Sequence, residues 1–216
     1  MRIYSIFFLY FLASCSKENK IYNSRFTILN AVPNSTAFTL MVGDNKIDSV
    51  SKYGLPEYAL AAPAATTTMQ WKHNASTGFD STLVTDIPNG SDYTLLFFDS
   101  LSRYQSYLVR DQWQQAFSDR QGYYRFFPMV IGAEQLMLTN DTNKVLVPER
   151  NFGSFNPAFT TIDTFTTKLR LYNGTKLLDS IPGATVRPGK SYSIYAIGVL
   201  NSTTDRKPKI IMHEHE

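Results

Sequence analysis

Four short motifs occur twice in this chain, in the same order and 99 to 100 residues apart. Arg25-Phe26 returns as Arg125-Phe126, Tyr53-Gly54 as Phe152-Gly153, and Asp80-Ser81 as Asp179-Ser180. A turn with Gly90 and Tyr93 returns with Gly189 and Tyr192. One such match would be chance; four in register indicate an internal duplication. Each copy is as long as a complete small domain, so the repeat predicts two tandem domains, not a solenoid of short units.

The local patterns within each copy are those of β-strands. Phe26-Thr27-Ile28-Leu29 and Phe38-Thr39-Leu40-Met41-Val42 flank the polar turn at Pro33-Asn34-Ser35, and Gly43-Asp44-Asn45 leads to a short strand over Lys46 to Val50. Tyr58 to Ala62 would suit a helix, but Pro63 and Thr66-Thr67-Thr68 oppose one, so this stretch reads as strand, turn, strand. Met69 and Trp71 then share one face, with Gln70 and Lys72 on the other. Ile87 to Phe98 is a Pro/Gly turn feeding a tyrosine and an apolar run. It resembles the corner of fibronectin-type sandwiches, where a tyrosine hydroxyl bonds upstream backbone and pins the crossover between sheets. Residues 99–103 would close a hairpin to a strand over Tyr104 to Arg110.

The predicted fold is therefore all-β: two tandem Ig-like or fibronectin-like antiparallel β-sandwiches, at 24–110 and 123–216. Residues 111–122 form a linker whose Trp113 and Phe117 are expected to pack in the crease between domains. Aromatic residues at 14% and charged residues at 18% suit a folded chain. A formal charge of +3, scattered along the sequence, does not suggest a nucleic-acid partner, which calls for clustered Lys and Arg.

Residues 1–14 have the form of a signal peptide: Met1-Arg2 as a small basic start, then an apolar stretch from Ile3 to Leu12 that is too short to span a bilayer. Leu12-Ala13-Ser14-Cys15 follows, ending in the single cysteine of the chain. This resembles the lipobox of bacterial lipoproteins, which implies cleavage before Cys15 and its acylation, with stable attachment through more than one acyl chain. No thiol would then be left for a disulfide. Residues 15–23 would be a lipid-anchored tether. Ser16 after the cysteine is similar to outer-membrane sorting signals, and Lys17-Glu18 to a thin surface-export patch of Bacteroidetes-type lipoproteins.

Arg25 through Pro33, the Tyr53-Gly54 pair, the Gly90 to Tyr93 corner and Gly189 through Gly198 together resemble bacterial lipoproteins with tandem domains of unknown function 4397. The resemblance covers nearly the whole chain after Cys15. It implies Ig-like sandwiches and an extracytoplasmic location, the outer membrane and its exposed face included, and brings no catalytic residues. The second copy departs from the pattern: Phe127-Pro128-Met129-Val130 stands in place of Asn-Ala-x-Pro, which bears on the first strand pairing of that domain.

Residues able to carry chemistry are sparse. No Gly-x-Ser-x-Gly elbow, phosphate loop or His-Glu-x-x-His occurs, so no enzyme activity and no cofactor is expected. His73 ends the Trp71 strand. His213 and His215 alternate in a sequence-end tail that is expected to be mobile, although alternate strand residues share a face and imidazoles suit zinc or copper. No metal site is assigned. Asn140-Asp141-Thr142-Asn143 reads as a β-turn. Trp71, Trp113, Tyr123 and Tyr124 could form a sugar-stacking platform if exposed, and core packing if buried. Asp-Ser followed by an apolar residue resembles the O-glycosylation acceptor of exported Bacteroidetes proteins, with Ser49 and Ser100 the best placed because each reads as a hairpin turn. The expected partners are a membrane, through Cys15, and a protein or glycan. The expected role is a non-enzymatic interaction or adhesion module, with a glycan-binding accessory of an uptake system as its rival.

Overall fold

The structure, a computed structural model of the 216-residue chain, describes residues 24–33, 37–42, 45–51, 53, 59–60, 66–73, 81–87, 90–99, 104–112 and 120–215. Among them every regular element is a β-strand. The first half carries β1 (Arg25–Asn30), β2 (Ala37–Val42), β3 (Asn45–Ser51), β4 (Ala59–Leu60), β5 (Thr66–His73), β6 (Ser81–Asp86), β7 (Asp92–Asp99) and β8 (Tyr104–Arg110). The second carries β9 (Gln121–Ile131), β10 (Leu136–Thr139), β11 (Val145–Arg150), β12 (Thr160–Asp163), β13 (Phe165–Asn173), β14 (Lys176–Val186), β15 (Ser191–Val199) and β16 (Lys209–His215). In the first half the sheets run β4-β1-β7-β8 and β3-β2-β5-β6; in the second they run β12-β9-β15-β16 and β11-β10-β13-β14. The second pair of orders is the first shifted by eight strands, so the duplication is one of topology.

The sheets are not purely antiparallel as expected. β1 lies parallel to β7, and β9 parallel to β15. Each parallel pair is formed by two strands that enter their sheet from the same end, joined by a long excursion through the other sheet. The register also corrects two equivalences. Arg25 sits beside Asp92, and Tyr123 beside Ser191, so the counterpart of Arg25 is Tyr123 and the counterpart of Arg125 is Thr27. The Arg-Phe echo was thus two residues out of step, a slip that a period of two conceals because it leaves every side chain on the same face. Likewise Tyr53 corresponds to Gly153: both have positive φ (58° and 74°) and donate N–H to equivalent carbonyls, Asn30 and Pro128.

Pro128 does not break the first strand pairing of the second half. Its carbonyl accepts from Gly153 at 2.9 Å, so the edge that lacks an N–H faces that loop while β15 pairs along the other edge.

In the first half Phe26, Ile28, Leu40, Met69, Trp71, Tyr93, Leu95 and Phe97 form the core between the two sheets. In the second half Phe126, Val130, Leu136, Leu138, Leu169, Leu171 and Ile194 do the same. The alternate residues of the inner strands are buried as well. Leu29, Leu96 and Phe98 from the first half meet Phe127, Met129, Tyr195 and Ile197 from the second in one cluster. The two inner sheets therefore pack on each other, and β1, β7, β9 and β15 are covered on both faces. Runs such as Leu95-Leu96-Phe97-Phe98 show it in sequence, since a strand covered on both sides loses its polar alternation. At about 1.5–3 kcal/mol per buried large apolar side chain, this seam contributes on the order of 10 kcal/mol before entropy.

The crease is thus filled by sheet faces; Trp113 and Phe117, expected to fill it, lie outside the described residues. β9 already begins at Gln121, inside the stretch read as linker, and Asp111 at its other end is buried. Gly122 shows how tightly β9 is seated: a Cβ there would lie 2.6 Å from Val186 and 2.9 Å from the Arg187 carbonyl.

Candidate functional site

Each inner strand carries a buried polar residue on the seam face directly before that face turns apolar. β1 reads Thr27-Leu29, β7 Thr94-Leu96-Phe98, β9 Arg125-Phe127-Met129, and β15 Ser193-Tyr195-Ile197. All four polar residues are buried and stand at the same level, with Thr27 beside Thr94 and Arg125 beside Ser193 in the parallel ladders. Two further buried polar groups join the tier: Asp111, just past β8, and His215, the last residue of β16. These two are also counterparts, since the Asp111 N–H binds the carbonyl of Asp92 and His215 pairs with Ser191.

Arg125 is the hub. Its guanidinium pairs with Asp111 through Nη2, and both side chains are 0% exposed. Nη2 also donates to Thr94 Oγ1 at 3.1 Å, and Nε donates to Ser193 Oγ at 2.6 Å. Thr94 in turn donates to Asp111 Oδ2 at 2.9 Å. The guanidinium carbon lies 4.7 Å from the ring centre of Phe159 and 5.2 Å from that of Phe127. Ser193 Oγ stands 2.6 Å from His215 Nε2. Ser193 accepts from Arg125, and the tautomer of the imidazole sets which of Ser193 Oγ and His215 Nε2 donates to the other. Burial, then the charge of Arg125, then His213 push His215 from its ordinary 6.5 down to about 2.

A serine within 2.6 Å of a histidine is the pairing that activates a nucleophile elsewhere. Here Ser193 is 0% exposed and one of its lone pairs is held by Arg125, so the pair acts on the seam. Tying Asp111 and Thr94 of one half to Ser193 and His215 of the other, Arg125 fixes which faces meet.

Above the polar tier the seam opens into two clefts beside the edge strand β8. One, of about 500 Å³, is lined by Phe98, Gln105, Tyr107, Phe152 and Phe155; the other, of about 350 Å³, by Tyr107, Val109, Arg110, Pro157 and Phe159. The loop 151–159 forms their far wall, with Phe155 5.1 Å from Phe98 and 5.0 Å from Tyr107 between ring centres.

The two expected corners are placed alike: Gly90 and Gly189 share a φ of 69°. Tyr192 is buried; its hydroxyl accepts from the Arg187 N–H at 2.9 Å and donates to Glu214 at 3.0 Å. Glu214 also takes the Arg187 guanidinium, at 2.5 and 3.2 Å. Burial alone would raise Glu214, but the bonds from Arg187 and Tyr192 and the charges of Arg187 and Lys190 hold it below the usual carboxylate range. Tyr93 is buried and stacks on Phe26 at 5.3 Å; Pro88 and Asn89, upstream of it, lie outside the described residues.

Of the four aromatics considered for a sugar platform, the three among the described residues are not brought together on an open face. Trp71 is 1% exposed in the core of the first half, packed on Phe97 at 4.6 Å, and Tyr123 is 2% exposed in the second. Tyr124 is half-buried with its hydroxyl turned to the Leu146 carbonyl, and Trp113 lies outside the described residues. The tail carrying His213 and His215, expected to be mobile, is strand β16, paired with β15 along its length. The two rings lie 4.8 Å apart on one face, and among the described residues no group of three His, Cys, Asp or Glu is gathered for a metal. Asn140 closes the predicted turn by accepting from the N–H groups of Thr142 and Lys144 at 3.1 and 2.8 Å. Ser49 lies within β3, where a turn was expected, and Ser100 and Cys15 lie outside the described residues. Asp179, read as part of the same acceptor pattern, accepts the Ile210 N–H at 2.8 Å and so ties β14 to β16.

Asp111, Thr94, Ser193, Phe155 and Phe159 were not singled out from sequence. For Thr94 and Ser193 the signal is a polar residue directly before the apolar run on one face of an inner strand; Asp111, Phe155 and Phe159 lie outside the strands and carry no such signal. Comparison with protein-family models finds no match, and comparison with curated proteins finds none.

Proposed function

We propose that this chain is a lipid-anchored protein of the bacterial cell envelope, attached to the outer membrane through Cys15 and acting as a non-enzymatic interaction or adhesion module. Its halves are then a fused pair of Ig-like sandwiches of the domain-4397 lipoprotein type. The observation that carries the reading is the coincidence of Leu12-Ala13-Ser14-Cys15 with the chain's single cysteine. The direction of the strands supports it. β1 begins at Arg25, directly after the tether, so a membrane at Cys15 faces the end where β1, β7, β9 and β15 start. The turns at 132–135, 174–175 and 200–208 close the opposite end and would be held away from the lipid. A seam that locks the halves together suits a rigid spacer presenting such turns to a partner. Burial of Trp71 and Tyr123 removes the aromatic platform on which a glycan-binding role would rest.

The test is labelled palmitate fed to cells making the protein or its Cys15→Ala variant. Label is expected on the parent, with the protein in the membrane fraction, and neither for the variant. Label retained by the variant would overturn the anchor.

A further inference from the structure

We propose that the outer edge of β8 is a docking strand for an extended peptide segment of a partner protein, apolar at alternate positions and carrying a carboxylate at the end that meets Arg110. Among the described residues β8 ends its sheet, so one of its edges has no neighbouring strand. The register says which groups lie there. Asp111 donates its N–H to the carbonyl of Asp92, and Tyr93 to Asp99 pair with Arg110 to Tyr104 without a slip. Hydrogen-bonded and non-bonded pairs alternate along an antiparallel ladder. Gln105, Tyr107 and Val109 therefore bond to β7. The N–H and C=O groups of Ser106 and Leu108, and the N–H of Arg110, point outward, and no backbone group among the described residues takes them up.

An open edge is ordinarily defended by a lysine, a proline or a bulge. Gln105-Ser106-Tyr107-Leu108-Val109 has none of these, and its ladder with β7 is regular. In the second half the matching strand, β16, is guarded: Ile210, the counterpart of Ser106, gives its N–H to Asp179 Oδ2 at 2.8 Å. Beside the edge of β8 run the two clefts, one along Gln105 to Tyr107 and the other along Tyr107 to Arg110. Their far wall holds the apolar side chains Phe152, Phe155, Pro157 and Phe159. A strand added at this edge turns alternate side chains to one face, so its apolar residues enter the clefts while its backbone pairs with β8. Arg110, exposed at the end of the row and with no carboxylate paired to it among the described residues, sets the charge of the occupant. The β8 of a second copy would bring another Arg110 and no carboxylate, since Tyr104 to Arg110 contains none. Such docking deepens the interaction-module reading and rests on it only in expecting a protein partner; the anchor at Cys15 has its own test.

The probe is a capped, fluorescently labelled peptide, Glu-Val-Thr-Phe-Thr-Val-Glu, whose end glutamates put a carboxylate near Arg110 in either strand direction. It is titrated into the full-length protein, with affinity read by fluorescence anisotropy and location by amide hydrogen exchange. The amides of Ser106, Leu108 and Arg110 should exchange openly in the free protein and at least about tenfold more slowly at saturation. Two further versions carry N-methyl groups, one on the valines and phenylalanine, the other on the threonines. Alternate residues of a strand present their N–H to the same edge, so only one version should lose affinity, by about tenfold or more. Arg110→Gln should weaken the unmodified peptide about two- to fivefold and flatten its salt dependence. No binding up to about 1 mM would overturn the proposal. So would equal loss, or equal tolerance, in the two N-methyl versions. Edge amides already protected in the free protein would overturn it too: protection that grows with protein concentration gives the edge to a second copy, and protection that does not gives it to the chain itself.

Discussion

Replacing Arg125 by Met tests the central claim about the seam, because the magnitude follows from what is left behind. Methionine keeps much of the length and the packing against Phe127 and Phe159, and removes only the charge and its donors. Asp111, 0% exposed, would then be a buried carboxylate deprived of the Arg125 cation, with the Thr94 hydroxyl still donating to it. Breaking a buried pair from one side costs about 3–5 kcal/mol, most of it the uncompensated charge and not the lost attraction. Adding Asp111→Asn removes that charge while leaving an oxygen for Thr94. The double variant should therefore recover part of the loss, ending about 1–2 kcal/mol below the parent, since neutral replacement of a buried pair is often tolerated. The assay is urea unfolding of the unacylated Cys15→Ala protein and of both variants in that background, completed as a double-mutant cycle with Asp111→Asn alone. A loss of under about 1 kcal/mol for Arg125→Met, or a double variant that costs the full sum of the singles, would refute the reasoning. Either result would mean that Asp111 reaches water in the folded state.

Tyr192→Phe removes the hydroxyl that accepts from Arg187 and donates to Glu214, and should cost about 1–3 kcal/mol in the same unfolding assay. Gly198→Ala should cost more than an ordinary Gly-to-Ala change. Its φ is 113°, and a Cβ would stand 2.6 Å from the Lys207 carbonyl, so the turn at 200–208 must shift. Gly153→Ala, with a φ of 74° but open space around it, should lose only the roughly 1 kcal/mol of backbone strain, and the difference between the two is the check. A Gly198→Ala midpoint equal to that of Gly153→Ala would show that the turn is free to move.

The strand-level fold was legible because apolar alternation and Gly/Pro turns are local. Phe38 to Val42, Tyr93 to Phe98 and Tyr104 to Arg110 fall within β2, β7 and β8. The duplication was legible too, as a shared strand order. What periodicity could not yield was the seam. Leu95-Leu96-Phe97-Phe98 announces burial on both faces without saying what covers the second one. Parallel pairing of β1 with β7 joins residues 67 apart, with no sequence signature of its own. Arg125 was noticed, but as an echo of Arg25, which is largely exposed and paired with Asp92. The same residue type served two environments, and only register tells them apart. The His213–His215 tail failed for a related reason: position near a sequence end suggests mobility, yet seven residues of β16 pair with β15.

The differences between the copies explain why the halves meet as they do. Two products of a duplication begin with the same surfaces, so first half on first half would at the outset be as good a pairing as first on second. The hydroxyls Thr94 and Ser193 are still alike, but the flanking positions have parted: Thr27 against Arg125, and Asp111 against His215. Among the described residues of the tier, two first halves pressed together would bring two copies of Asp111 without Arg125, and two second halves two copies of Arg125 without Asp111. Only the unlike pairing neutralises the tier. A buried ion pair adds little net stability over apolar packing, and the apolar seam already supplies attraction without discrimination. The contribution of Arg125 and Asp111 is therefore the penalty they place on the wrong partner. This matters most where many copies stand close together, as they would on a membrane surface, with like halves of neighbouring molecules at high local concentration.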